Sequence, residues 1–397
     1  MPNSSDIRRI FITSYPYVYE RYFRVFDFVR HKERLTFILP GAWTARGGSV
    51  RVSCPKRDDI SILPTRAFFS HSHYPVIRGL LKGWMPATRR ILRRRATAGD
   101  VLFTAIEPNL LTTWANARYA KRHGMKHMFF TWQNVPYAER LAGWKYRFAM
   151  AVVRSVIRNS AGAVAGNKKA AAILKSIAGP SFPVLQVPIS GVDVDRFNAT
   201  PDLAFRKQYG IEDKIIFLFA GVLDERKGLT TLIQAFSEIR KRRSDVSLVI
   251  VGSGHLKSAL VELARSEDVA SDVIFIPWMD NAALPGIFAA ADVFVYPSEP
   301  YRGWQEQFGY SIAEASAVGV PVISTMSGSI SDVVADGVTG ILVPPGDSQA
   351  LAGAMARCAE NPDLRRTMGD AGRKFIREKF SHQKIAQQFE AFFESLP

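Results

Sequence analysis

Short β-rich runs alternate with helical, amphipathic stretches almost from end to end of this chain, and that alternation restricts the fold more than any other feature. In the first half the runs are 9–13, 35–39, 50–54, 101–104, 127–132, 161–165 and 184–187. In the second they are 215–220, 247–251, 273–277, 293–296, 321–324 and 340–343. Most of these runs are continuously apolar rather than alternating, the mark of strands buried on both faces, as in parallel sheets covered by helices. The expected fold is α/β, with right-handed crossovers and doubly wound parallel sheets. Two series of runs give two sheets, and 397 residues suffice for two cores. The polar, proline-containing stretch 198–207 separates the series. It sets predicted domains of 1–200 and 201–380, followed by a terminal segment 381–397 with a helix over 383–394.

Composition narrows the class of protein. Cys54 and Cys358 lie far apart without a partner motif, which argues against a disulfide scaffold or a zinc site and fits a reducing compartment. His71 and His73 have no Cys or carboxylate pattern nearby and read as surface residues. No apolar run approaches the ~18 residues of a spanning helix. The N-terminus lacks the basic-then-apolar plan of a secretory signal. The expected location is the cytoplasm. The formal net charge of +16 is unevenly spread, and residues 60–99 hold no Asp or Glu. Within 77–96, Arg89, Arg90, Arg93, Arg94 and Arg95 interleave with Trp84, Met85, Ile91 and Leu92. Two readings stand. One is a segment lying on an anionic membrane surface, with peripheral attachment at its cytoplasmic face. The other is a solvated cationic face with an ordinary core side. Nucleic acid is not an expected partner, because no nucleic-acid module accompanies the charge.

The sharpest motif is Glu306-Gln-Phe-Gly-Tyr-Ser-Ile-Ala-Glu314, followed by Gly319 and Pro321. Gly309 opens a helix that carries Glu314, and Gly319 and Pro321 end it before the next strand. A loop entering a helix is a natural anion site, since the first backbone N–H groups lack intrahelical partners. A sugar diphosphate there would meet the amides of Phe308, Gly309, Tyr310 and Ser311. Glu306 would grip sugar hydroxyls, and Glu314 the paired hydroxyls of a ribose, the logic of acidic ribose contacts in dinucleotide folds. The plain alternative is a pair of solvated helix glutamates. A second strand–turn–helix, Phe219-Ala-Gly-Val-Leu-Asp-Glu-Arg-Lys-Gly228, puts Arg226 and Lys227 where ligands sit in open parallel sheets. Fixed cations there would stabilise a departing diphosphate. The alternative is a surface Arg-Lys pair capping a turn. The loop with Gly252 and Gly254 resembles a shortened phosphate loop, and a close chain turn explains it equally well.

In order and spacing these pieces resemble the retaining glycosyltransferases of the two-Rossmann (GT-B) fold often called family 4. The resemblance rests on Gly221 with Lys227-Gly228, Gly252-Ser-Gly254, Val295-Tyr-Pro-Ser298, Glu306-x7-Glu314, Gly319-Val-Pro-Val322 and Gly337-Val-Thr-Gly340 with Pro344-Pro-Gly-Asp347. It implies two Rossmann-like domains facing a cleft, with the nucleotide sugar on the C-terminal side and the acceptor on the N-terminal side. It also implies that the last helix packs back on the first domain. Lys227 would bind the donor phosphates, Glu306 the sugar and Glu314 the ribose. Val222 stands where family members usually carry an arginine. The N-terminal half shares Glu107-Pro108 and Thr131-Trp-Gln-Asn134 with a subgroup of the family, with Ile106 in place of the usual histidine. Glu107, Gln133 and Asn134 become candidates for orienting donor sugar or acceptor, with a local turn role open for Asn134.

The implied reaction moves a sugar, with retention, from a UDP- or GDP-linked donor to a saccharide or lipid-linked acceptor. It uses no separate cofactor and no metal. Asp193-Val-Asp195 is formally a metal-binding Asp-x-Asp, but it lies in the segment approaching the interdomain linker. Rival readings are a nucleotide-sugar epimerase or phosphorylase of the same fold, and a non-catalytic sugar-nucleotide-binding protein.

Overall fold

The structure is a computed structural model that describes residues 8–44, 51–69, 80–279 and 283–397. His71, His73, Val50 and positions 77–79 of the basic tract lie outside the described residues. The chain forms two compact units: Met1–Gly191 with His382–Pro397, and Val192–Ser381.

The first unit is built on a seven-stranded parallel sheet of order β5-β2-β1-β6-β7-β8-β9. Its strands are β1 (Ile10–Thr13), β2 (Leu35–Pro40), β5 (Ser61–Thr65), β6 (Val101–Thr104), β7 (Lys126–Thr131), β8 (Gly162–Ala165) and β9 (Val184–Gln186). On one face, helix Ala87–Arg95 shares a core cluster with helix Leu111–Arg122 through Leu92 and Tyr119. Helix Gly143–Arg158 adjoins the latter through Val153 and Ala117. On another side Phe389 and Phe393 of the terminal helix His382–Ser395 lie 6.1 and 5.9 Å from Phe103, ring to ring.

The strand expected over 50–54 does not join that sheet. Arg51–Ser53 (β4) pairs antiparallel with Ala42–Thr44 (β3) in a two-stranded ribbon. The edge place belongs to β5, which the apolar pattern misses because it is half exposed and contains Pro64. Proline is tolerated at an edge, where one row of N–H groups has no ladder partner.

The second unit has a six-stranded parallel sheet of order β12-β11-β10-β13-β14-β15. These are β10 (Ile215–Ala220), β11 (Val246–Val251), β12 (Val273–Ile276), β13 (Val293–Tyr296), β14 (Val322–Thr325) and β15 (Gly340–Val343). The units divide at Gly191/Val192, earlier than the 198–207 stretch. Phe197 already packs edge-on against Phe288 at 5.9 Å, and Phe205 is buried. Asp202 caps helix Leu203–Gln208 by accepting from the Phe205 amide at 3.0 Å. Among the described residues no helix is long and apolar enough to cross a membrane.

Each sheet has one point where the strand order reverses: between β1 and β6 in the first unit, and between β10 and β13 in the second. The loops leaving the carboxyl ends of such strand pairs diverge and open a crevice for ligands.

Candidate functional site

In the second unit both switch-point loops carry residues singled out by the sequence. After β10 the chain makes a tight turn, Glu225–Lys227, capped by Asp224, whose carboxylate accepts from the Arg226 amide at 3.2 Å. Gly228 then takes a left-handed φ of 62° and starts helix Leu229–Arg240. Only glycine fits, because a Cβ would sit 2.0 Å from the Pro297 carbonyl oxygen of the loop after β13. The two loops are laced together there. The Arg226 carbonyl accepts from the Glu299 amide at 3.0 Å and the Ser298 hydroxyl at 2.9 Å.

This lacing brings Lys227 to Glu306. Both side chains are buried, and Lys227 Nζ lies 2.7 Å from Glu306 Oε2. Lys227 also donates to the Tyr296 hydroxyl, which in turn donates to Glu306 Oε2 at 3.1 Å. Burial, and then the Glu306 carboxylate, hold the Tyr296 phenol well above its ordinary range, so it remains a donor. Glu306 is fixed by its backbone: its carbonyl accepts from the Ser329 amide at 2.9 Å. Arg226 is half-buried, paired with Asp224, and its guanidinium carbon lies 4.4 Å from the Trp304 ring centroid. Lys227 Nζ is 5.1 Å from the same ring.

Phe308 is buried against Phe380 at 5.2 Å, so its side chain belongs to the core and only its backbone can face a ligand. Gly309, at φ 82°, caps helix Tyr310–Ala317, whose ladder begins with Ile312 and Ala313 donating to the Gly309 carbonyl. Tyr310, Ser311 and Glu314 are half-buried on its first two turns. Gly252 and Gly254 have a structural reason of their own. A Cβ on Gly252 would stand 1.9 Å from the Gly221 carbonyl oxygen, and one on Gly254 2.1 Å from that of Leu223. The two loops pack backbone to backbone, which accounts for these glycines without a phosphate. Val222 is 49% exposed.

Tyr296, Asp224 and Trp304 also belong to this site, and no spacing pattern in the sequence marks a role for them. The signal for Trp304 lies in Tyr301-Arg-Gly-Trp304. Arg302 and Gly303 both have positive φ, and Tyr301 and Trp304 exchange backbone bonds of 3.0 and 2.9 Å. That is a primed two-residue hairpin, which a glycine between aromatic flanks announces.

In the first unit Glu107 follows β6 at the switch point. Its carboxylate accepts from the Trp132 amide and the Thr131 hydroxyl, both at 2.7 Å. The Gln133 amide in turn donates to that hydroxyl at 3.0 Å, and Gln133 Oε1 accepts from Arg140 at 2.9 Å. Glu107 and Gln133 thus belong to one network; Asn134 is buried in the same loop. Burial pushes the Glu107 carboxyl above its ordinary range, against the bonds from Trp132 and Thr131 and the charges of Arg140 and Lys82. Across the switch point, Tyr15 stacks on Trp43 at 4.5 Å, with Lys82 Nζ 4.6 Å from the Tyr15 ring. Burial and Glu107 raise the Tyr15 phenol far above its usual value.

Asp193 of the Asp-x-Asp accepts from the Arg196 amide at 3.2 Å, a local turn bond. Among the described residues no group of three His, Cys, Asp or Glu side chains is placed to hold a metal.

Residues 202–375 match the family described as glycosyl transferases group 1. A GDP-mannose-dependent alpha-(1-6)-phosphatidylinositol monomannoside mannosyltransferase of Mycolicibacterium smegmatis is 37% identical over 199 residues, 49% of this chain and 52% of that protein. An N-acetyl-alpha-D-glucosaminyl L-malate synthase of Bacillus anthracis is 31% identical over 189 residues, 47% of this chain and 48% of that protein. The similarity thus spans about half the length of these curated relatives. A sucrose-phosphate synthase structure from Thermosynechococcus elongatus superimposes with a TM-score of 0.76 at 20% identity, over 98% of this chain and 99% of that one. The two parallel-sheet units share the fold of GT-B glycosyltransferase structures.

Proposed function

We propose, from the premise that residues 202–375 form a glycosyl transferases group 1 domain, that this chain moves a sugar from a nucleotide-sugar donor to a saccharide or lipid-linked acceptor in polysaccharide or glycolipid synthesis. The observation that carries the reading is the triangle of Lys227, Tyr296 and Glu306 at the switch point of the second unit. A buried ion pair sits near energetic break-even, because desolvation offsets most of its attraction. A donor diphosphate can therefore replace Glu306 as the partner of Lys227 at little net cost. Glu306, released, accepts from sugar hydroxyls, while Tyr310, Ser311 and Glu314 line the path to phosphate and ribose.

The reaction takes place with retention. The acceptor oxygen bonds the anomeric carbon from the face the diphosphate leaves, the carbon–phosphate oxygen bond breaks, and the acceptor proton passes to the departing phosphate. Lys227, with Arg226 behind it, stabilises the charge that grows there. Glu107, Gln133 and Asn134 orient the acceptor in the first unit. The likeness to a GDP-mannose-dependent relative makes GDP-mannose the first donor to try, and the likeness to a glucosaminyl-malate synthase keeps the sugar open. The chain works without a metal, at or near the cytoplasmic face of a membrane.

The test is donor turnover across a panel of nucleotide sugars, with and without acceptor, with the product anomer assigned by NMR. Acceptor-dependent transfer with retained configuration, unaffected by EDTA, is expected. A changed sugar nucleotide formed without acceptor would make the protein an epimerase. Loss on chelation that manganese restores would return Asp193 and Asp195 to the site.

A further inference from the structure

The positive charge of this chain is concentrated on one side of one sheet. Helices Ala87–Arg95, Leu111–Arg122 and Gly143–Arg158 carry five, three and four Lys or Arg, and no Asp or Glu. They lie side by side on the first unit's sheet, joined through the clusters around Leu92 and Val153 and by a 3.1 Å bond from Trp114 Nε1 to Ser155. From Asp100 to Asp193 the only acids between are Glu107, held in the loop network, and Glu139.

The three helices use their apolar residues differently. In Ala87–Arg95, Leu92 is buried and Ile91 packs on the core, and Arg89 covers Trp84 from 5.9 Å. That helix shows solvent only its arginines. Helix Gly143–Arg158 buries Ala149, Met150, Val152, Val153, Val156 and Ile157, and yet leaves Trp144 69% and Phe148 41% exposed. Positions 144, 147, 148, 151, 154 and 158 follow a helical period and form one exposed stripe: Trp, Arg, Phe, Ala, Arg, Arg. Its N-terminus has no side-chain cap and no acid in the first turn, but Lys145 and Arg147. Cations there oppose the helix dipole, so the sequence does not favour the isolated helix.

We infer that the stripe Trp144–Arg147–Phe148–Arg154 of helix Gly143–Arg158 is a docking surface for an anionic lipid bilayer, with Trp144 and Phe148 entering the interface and the arginine-rich neighbouring helices supplying long-range attraction. An aromatic pair flanked by Lys and Arg is the composition that seats a helix in the headgroup region, where indole bridges apolar and wet layers and the cations meet lipid phosphates. The docking end of the helix is also the functional end of the unit. It follows β7 and the Gln133–Arg140 bond, so a bilayer held at Trp144 lies beside the loops of Glu107 and Gln133. This placement deepens the proposed transfer to a lipid-linked acceptor. It rests on that reading only for its purpose, since lipid binding is measured separately from transfer.

The experiment is co-sedimentation of the full chain with phosphatidylcholine vesicles with and without phosphatidylserine. Donor turnover on a soluble acceptor and the thermal midpoint are followed alongside. Wild type is expected to bind the anionic vesicles and to be released by salt. W144A/F148A should bind at least ~10-fold more weakly, and Arg147→Gln/Arg154→Gln about fivefold per charge, with midpoint and soluble turnover unchanged. Wild-type partitioning by W144A/F148A, with release only when the arginines at 89–95 are neutralised, overturns the assignment. So does absence of binding at low salt, or displacement from vesicles by short duplex DNA at equal charge. Loss of soluble turnover in wild type, with vesicle binding intact, strikes the proposed function and leaves the docking surface standing.

Discussion

Tyr296 shows how chemistry in this chain depends on a group that no spacing rule reveals. Its ring stacks on Phe219 at 5.5 Å, which fixes the hydroxyl between Lys227 and Glu306. Tyr296→Phe keeps the ring and removes the relay, so Lys227 loses one of two restraints on its position. Turnover should fall ~10-fold with donor affinity nearly unchanged, while Lys227→Ala should cost ~10²-fold or more, as for a lost oxyanion donor. Steady-state kinetics with the accepted donor decides. Wild-type turnover in both variants would remove the triangle from the mechanism. The sequence shows Lys227 and Glu306 as separate candidates because their residue types fit phosphate and sugar. It does not show that they pair, since they stand 79 positions apart in the chain and only the sheet order brings β10 beside β13. Trp304 escapes notice for a similar reason: it reaches Arg226 through a hairpin whose geometry is set by two positive φ values.

At the scale of elements, strands buried on both faces are legible, because each is a short unbroken apolar run. Both the runs at 215–220 and 293–296 coincide with β10 and β13. Elements with one wet side are not. β5 is only half buried and contains a proline, and the run at 50–54 alternates, with Arg51 and Ser53 exposed, and spends its pairing on a local ribbon. Turns carry the site, and Gly228 is the turn that joins the two switch-point loops. Gly228→Ala must both hold a left-handed φ, costing about 1–2 kcal/mol, and push Pro297 away. Gly337 has a similar φ of 72° with nothing within 4 Å of a Cβ. Gly337→Ala should therefore show a comparable strain cost in thermal unfolding and keep full turnover. Gly228→Ala should lose turnover ~10²-fold or more, because Lys227 moves with the turn. Equal turnover in the two variants would mean that the lacing at Pro297 does not position Lys227.

For the whole molecule the chain passes between units twice, at Gly191/Val192 and again at Ser381/His382, so the first unit is completed by residues from the far end. The amphipathic pattern of 382–395 shows that this helix covers something; which sheet it covers is not written in any local window. The aromatic rings answer it: Phe389 lies 6.1 Å from both Phe26 and Phe103, and Phe393 5.9 Å from Phe103. Both are buried almost completely, with Ile385 and Ala386 beside them. Losing one such phenylalanine costs ~3–5 kcal/mol, and a domain has only ~5–15 kcal/mol in all. Deleting 382–397 should therefore unfold the first unit while the second, whose sheet and helices all lie within 192–381, stays folded. Calorimetry of the truncated chain should show a single transition, and that transition should rise when the accepted nucleotide sugar is added, by ~2.7 kcal/mol at 100 times its dissociation constant. Transfer to acceptor should be absent, because the loops of Glu107 and Gln133 go with the first unit. A truncated chain that keeps two transitions would show that the terminal helix is an accessory to the first core; one that keeps none would show that the second unit cannot fold without the first.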